Sequence, residues 1–178
     1  MKSKFVLSAF VIWILGTSAY FMVPVQNWKI AKGYSIKFTS KDPTGIFKDF
    51  KGNISFDEND LANSKFDVNM DISSISTGNG MQNKKAQTEE WFDAGKYPQI
   101  QYVSTKIEKA DKGYAVYGNL SMKGISKPYK VNLTVKKDGS NLKFIGTFNV
   151  NRMDFKVGKK SDAVPDVMKI DFSIPVSK

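Results

Sequence analysis

Apolar and polar residues alternate strictly in three stretches of the chain. Phe66, Val68, Met70 and Ile72 alternate with Lys65, Asp67, Asn69 and Asp71. Tyr129, Val131, Leu133 and Val135 alternate with Lys130, Asn132, Thr134 and Lys136. Met168, Ile170, Phe172, Ile174 and Val176 alternate with Lys169, Asp171, Ser173 and Pro175. A period of two keeps each set on one face of a β-strand, whereas the helical period of 3.6 would mix them. Weaker versions predict strands over 35–40, 46–56, 100–107, 114–122 and 142–150. Gly52 inside the second of these predicts a bend or bulge. Turn-forming clusters at Asp57–Asp60, Asp111–Gly113 and Lys137–Ser140 separate the runs.

The pattern breaks only between Thr77 and Pro98. Asn83 to Trp91 predicts a short helix there, with Thr88, Glu89 and Glu90 near its end, lying across a barrel end or side. About eight antiparallel strands remain, and closing them into a barrel removes every exposed edge. The expected fold is therefore all-β, an antiparallel eight-stranded barrel with one short helical segment. A two-sheet sandwich is the alternative.

An eight-stranded barrel is either filled by its side chains or holds one small ligand. The expected inward face is bulky and apolar. Phe38, Phe56, Met70, Phe144 and Phe148 are its candidate ligand contacts, with Tyr102 from the mixed strand. Trp91 and Phe92 join them from the segment that breaks the pattern. Gly118 and Gly146 fall on the same inward face and remove side-chain volume from it, which favours a hollow interior. Each large residue taken singly is better explained as core.

Composition narrows the chemistry. The chain has 178 residues, 41% of them hydrophobic and 25% charged, which suits one domain with a real core. It contains no cysteine and no histidine. Thiolate and Ser–His nucleophiles, disulfides and imidazole-ligated zinc are thereby excluded. No cofactor is expected. The net charge is +10, but Arg152 is the sole arginine and the lysines are scattered along the whole chain, singly or at most in pairs. Nucleic-acid readers lean on arginine forks, so no nucleic-acid partner is expected. A basic surface is compatible with peripheral contact with an anionic membrane. Arg152 and Asp154, two apart on an expected strand, would share a face and form a buried pair at one barrel end, or meet a ligand head group.

The N-terminus has its own pattern. Lys2 and Lys4 precede an apolar run from Phe5 to Leu15, then Gly16-Thr17-Ser18-Ala19. This is the layout of a signal peptide cut after Ala19, leaving 20–178 as the mature domain; an uncleaved anchor is the alternative. A periplasmic or secreted location follows as an expectation.

Several motifs recur together. They are Gly45-Ile46-Phe47, Phe50 to Asp57, Ile75-Ser76-Thr77-Gly78-Asn79, Trp91-Phe92-Asp93 and Lys96 to Ile100. Tyr117 to Pro128 and Asn151 to Gly158 complete the series. The chain from about Trp28 to its C-terminus resembles the YceI-like family of bacterial exported proteins. The resemblance implies an extended, lipocalin-like barrel and an apolar isoprenoid ligand, such as an isoprenoid quinone, threaded through it. Many members carry Arg-Asp and His-Leu pairs where this chain has Gln82-Asn83 and Lys85-Ala86. That departure falls on the segment over the barrel.

The expected function is a binding or carrier protein, not an enzyme, with a homodimer compatible. The alternatives are a lipid-modifying enzyme using Asp or Glu with Tyr, and a ligand-free stress or surface protein. A carboxylate pair, or a carboxylate beside a tyrosine, converging in the interior would favour the enzyme.

Overall fold

A computed structural model describes residues 25–178. The expected signal peptide and its cut after Ala19 lie outside the described residues. Eleven β-strands form one antiparallel sheet. They are β1 (Asn27–Ile30), β2 (Ser35–Thr39), β3 (Gly45–Phe47), β4 (Phe50–Ser55), β5 (Lys65–Asp71) and β6 (Ile75–Ser76). After α1 (Gly80–Gln87), the single α-helix among the described residues, come β7 (Gln99–Ala110), β8 (Gly113–Met122), β9 (Ile125–Asp138), β10 (Asn141–Asn151) and β11 (Val167–Ser177).

The eleven pieces make a closed eight-stranded barrel because the first six are three broken strands. β1 and β2 both pair with β11, at its C-terminal and N-terminal halves. β4 joins β1 to β5, and β3 joins β2 to β6. From β5 the sheet runs through β7, β8, β9 and β10 to β11. The interruptions are the turn before Tyr34, Lys48-Asp49, and a 3-10 turn over Ile72–Ser74. The expected strand over 46–56 is thus two strands. Gly52 lies in the second at φ 140°, where a Cβ would sit 2.2 Å from the Asp67 carbonyl oxygen; the register with β5 passes through it unshifted, so the expected bulge is absent there.

Near the broken upper ends the sheet opens. β7 follows β5 as far as the bond from the Ile72 amide to the Pro98 carbonyl, while β6 pairs with β3 alone. The chain between, 77–98, covers that end. The helix begins at Gly80 and stops at Gln87, earlier than the predicted 83–91. Asn79 caps it by accepting hydrogen bonds from the Met81 and Gln82 amides. Thr88 leaves the helical conformation, and tight turns fold 88–97 back on the helix. The Phe92 amide donates to Ala86 and the Ala94 amide to Gln87.

At the other end the interior is solid. Phe144 is fully buried and meets Phe56 and Phe66 edge to face, at ring separations of 5.3 and 5.1 Å. Tyr114 stands perpendicular to Phe56 at 5.1 Å. Trp28 closes this end, its Nε1 donating to the Phe56 carbonyl at 2.9 Å. Edge-to-face rings add about 0.5–1.5 kcal/mol each to what burial supplies.

Candidate functional site

The upper half of the barrel holds a cavity of about 320 Å³. Strand residues supply its floor and walls: Phe38 from β2, Phe47 from β3, Met70 from β5, Leu120 and Met122 from β8, Phe148 from β10. Their inward direction follows from the pleat. Its rim comes from three chain segments at the same end. Asp42 and Pro43 lie between β2 and β3, Ala163 and Val164 between β10 and β11, and Thr77, Gln82, Lys85 and Ala86 on and before α1. Trp91 and Phe92 also line it, as does Arg152.

Of the nine candidate contacts, Phe38, Met70, Trp91, Phe92, Phe148 and Arg152 border this cavity. Phe56 and Phe144 do not; they belong to the aromatic cluster at the solid end. Tyr102 does not either. Its ring passes beneath Gly118, where a Cβ would meet it at 2.8 Å. Its hydroxyl donates to the Val116 carbonyl at 3.0 Å and reaches that of Tyr129 at 3.3 Å. Burial pushes this phenol's pKa well above its ordinary value.

The expectation that Gly118 and Gly146 leave open space is corrected. The Tyr102 ring occupies the space at Gly118, and the Phe172 ring that at Gly146, where a Cβ would approach it at 2.5 Å. The glycines admit large neighbours from adjacent strands. The cavity instead arises where the strands break and α1 replaces sheet.

The Arg152–Asp154 pair is also corrected. Residues 152–155 form a 3-10 turn, not a strand, so positions two apart do not share a face. Arg152 pairs with Asp166, at 3.0 Å. Its Nε donates to Pro165 O, Nη1 to Val157 O and to the Met153 sulfur, and Nη2 to Val164 O as well as Asp166. All five N–H donors are engaged. With 3% of its surface exposed, Arg152 ties the 158–166 rim segment to the barrel and has no donor left for a ligand.

Trp91 contrasts with it. The Arg152 guanidinium lies over its ring at 5.6 Å and the Lys85 ammonium at 5.7 Å. Its benzo edge, Cε3 and Cζ3, sits where a Cβ on Gly158 would be, 2.9–3.0 Å away. The opposite edge carries Nε1, which is buried and hydrogen-bonded to none of the described residues. Such a donor costs about 1–3 kcal/mol. At the departing positions, Gln82 and Lys85 face the cavity, while Asn83 turns away and accepts from the Thr77 amide and hydroxyl at 2.9 Å each. No sequence signal separated these roles, because they depend on where α1 starts. The rim residues Pro43, Ala163 and Val164 lie outside any alternating run and were equally illegible.

Comparisons agree with this architecture. The matched stretch of a UPF0312 protein of Photorhabdus laumondii is 33% identical over 97 residues, 54% of this chain and 50% of the relative. The chain thus matches about half the length of that relative. The crystal structure of BcnA from Burkholderia cenocepacia superposes with a TM-score of 0.76 at 29% identity, covering 82% of this chain and 96% of that one. A polyisoprenoid binding domain from Saccharophagus degradans, described as implicated in plant cell wall breakdown, shares the fold. It superposes with a TM-score of 0.63 at 14% identity, over 85% of this chain and 98% of that one. The model of the YceI-like domain matches residues 27–176, essentially the whole described barrel, and the chain belongs to the YceI-like family.

Proposed function

We propose that this barrel sequesters one long apolar lipid of the polyisoprenoid type, isoprenoid quinones included, and carries it without transforming it. The observation that carries the reading is the 320 Å³ apolar cavity under α1, bounded by phenylalanine, methionine and aliphatic side chains. Each methylene moved from water into such a wall contributes about 0.8 kcal/mol, so a chain binds without many polar contacts. Family membership and the polyisoprenoid ligand of the Saccharophagus domain with the same fold support the same class. A catalytic role has less support: the cavity lining includes one carboxylate, Asp42, and no tyrosine. With the reading go an exported location, supported by the N-terminal pattern, and peripheral contact with an anionic membrane or a second copy during transfer.

Native mass spectrometry of protein purified from its own host, with organic extraction, tests it. A discrete added mass that extracts as a prenyl lipid is expected. Repeated recovery of empty, folded protein that also fails to take up added prenyl lipid overturns it.

A further inference from the structure

The cavity wall is not uniformly apolar, and its polar groups gather at the rim under α1. Sorting them by free hydrogen-bonding capacity separates those that hold the fold from those that await a partner. Arg152 spends all five donors on Val157, Val164, Pro165, Asp166 and Met153. Thr77 is bonded to Asn83 and Asn79. Asp42 is likewise without a hydrogen bond or ion pair to another described residue, but its carboxylate offers no donor. Three donor-bearing side chains remain: Gln82 and Lys85, which line the cavity without a hydrogen bond or ion pair to another described residue, and Trp91, whose buried Nε1–H has none either. All three come from one short stretch, α1 and the turn after it. All three offer N–H donors.

We propose that Gln82, Lys85 and Trp91 form a head-group site that selects lipids whose apolar chain ends in acceptor oxygens. This deepens the carrier reading and rests on it. An acceptor oxygen satisfies the orphaned indole N–H, which a bare hydrocarbon leaves unpaired, so head-bearing lipids gain what headless ones forgo. The ring is fixed for that purpose. Gly158 seats its benzo edge, and the Arg152 guanidinium stacks on it, so the Nε1 edge has one direction. The exposed Lys85 chain lying over the ring is the group an arriving head displaces. Its ammonium then adds a second donor and Gln82 a third. The shared chemistry is an acceptor oxygen, whether a neutral carbonyl as in a quinone or an ionised carboxylate.

The test uses the domain 20–178 labelled with ¹⁵N-tryptophan, in which Trp28 and Trp91 give separate indole N–H resonances. The Trp91 resonance is assigned by its loss in Trp91→Phe. Three probes are titrated: decylubiquinone, dodecanoate and dodecane. The headed probes are expected to shift the Trp91 resonance, while dodecane binds without shifting it. Replacing Trp91 with benzothienylalanine, which keeps the bicyclic shape and removes the N–H, is expected to weaken the headed probes about tenfold and leave dodecane unchanged. A further loss for dodecanoate alone in Lys85→Met assigns the preferred head to an anion; equal small losses for both assign it to a carbonyl. Either result supports the site. Headed probes that bind with the Trp91 resonance unmoved, or dodecane that moves it equally, overturn the site while leaving the carrier reading intact. Folded protein that takes up none of the three overturns both.

Discussion

The two ends of this barrel share one sequence pattern and differ in what fills them. At the lower end Phe144 meets Phe56 and Phe66 edge to face, those two rings tilt against each other, and Trp28 seals the floor. At the upper end Phe38 and Phe148, from the same kind of alternating strand, border a cavity. Position on an apolar face is therefore not what makes a ligand contact. Continuity of the sheet is. Unbroken strands bring facing rings together, whereas past the breaks at Lys48-Asp49 and Ile72–Ser74 β6 pairs with β3 and not with β7, and a helix with no buried residue covers the gap.

The sharpest way to break this comparison is to truncate one phenylalanine at each end. Phe144→Ala should cost about 3–5 kcal/mol in a urea melt, since the hole cannot collapse among fixed rings. Phe38→Ala should cost clearly less, because one side of its ring already faces open volume. Equal losses would mean that the upper end is as filled as the lower.

Arg152→Lys comes next. A lysine cannot reproduce five donors in a fixed fork, so three rim carbonyls and Asp166 lose their shared partner. A loss of about 2–3 kcal/mol is expected, with proteolysis of the 158–166 segment accelerated beyond what the global loss explains. Unchanged cleavage there would detach Arg152 from the rim.

Tyr102→Phe removes a hydroxyl bonded to Val116 and Tyr129 and should cost about 1 kcal/mol near neutral pH. Its pH signature has a defined sign. The folded-state phenol pKa is raised by burial, so the protonated form is favoured by folding. That contribution is complete below about pH 10, the unfolded value, and is lost as pH rises beyond it. Tyr114 and Tyr129 shift in the same direction and leave a residual slope. Alkaline urea melts should therefore be less steep in pH for the variant than for the parent; identical slopes would place the Tyr102 hydroxyl in solvent.

The smallest stability effect is expected for Phe148→Trp. Inserting volume into a filled core costs about 1–3 kcal/mol, but here the added ring enters the cavity, and under about 1 kcal/mol is expected. Lipid loading measured on the same samples should fall. Unchanged loading with a large stability loss would turn Phe148 into an ordinary core residue.

Much of the barrel was legible. All eight alternating or near-alternating runs became strands, with β8, β10 and β11 ending within a residue or two of their predicted limits. The missing pieces are instructive. β1 and β6 have four and two residues, too short to show a period. The start of α1 was misplaced because Asn79-Gly80 reads equally as a turn, and only the cap bonds to Met81 and Gln82 decide it. The Arg152–Asp154 pair failed since a 3-10 turn follows β10 directly.

By itself, then, the sequence determined which faces of which segments turn inward, because a period of two is a local property of the backbone. It determined that the interior is apolar and that no thiol or imidazole chemistry occurs in the chain. Only the tertiary structure decided which inward residues meet one another and which meet empty space. The volume left at Gly118 and Gly146 was assigned to a cavity from sequence, but Tyr102 and Phe172 arrive from neighbouring strands and take it. Packing of that kind depends on register between segments far apart in the chain, and a residue's own neighbours in sequence carry no record of it.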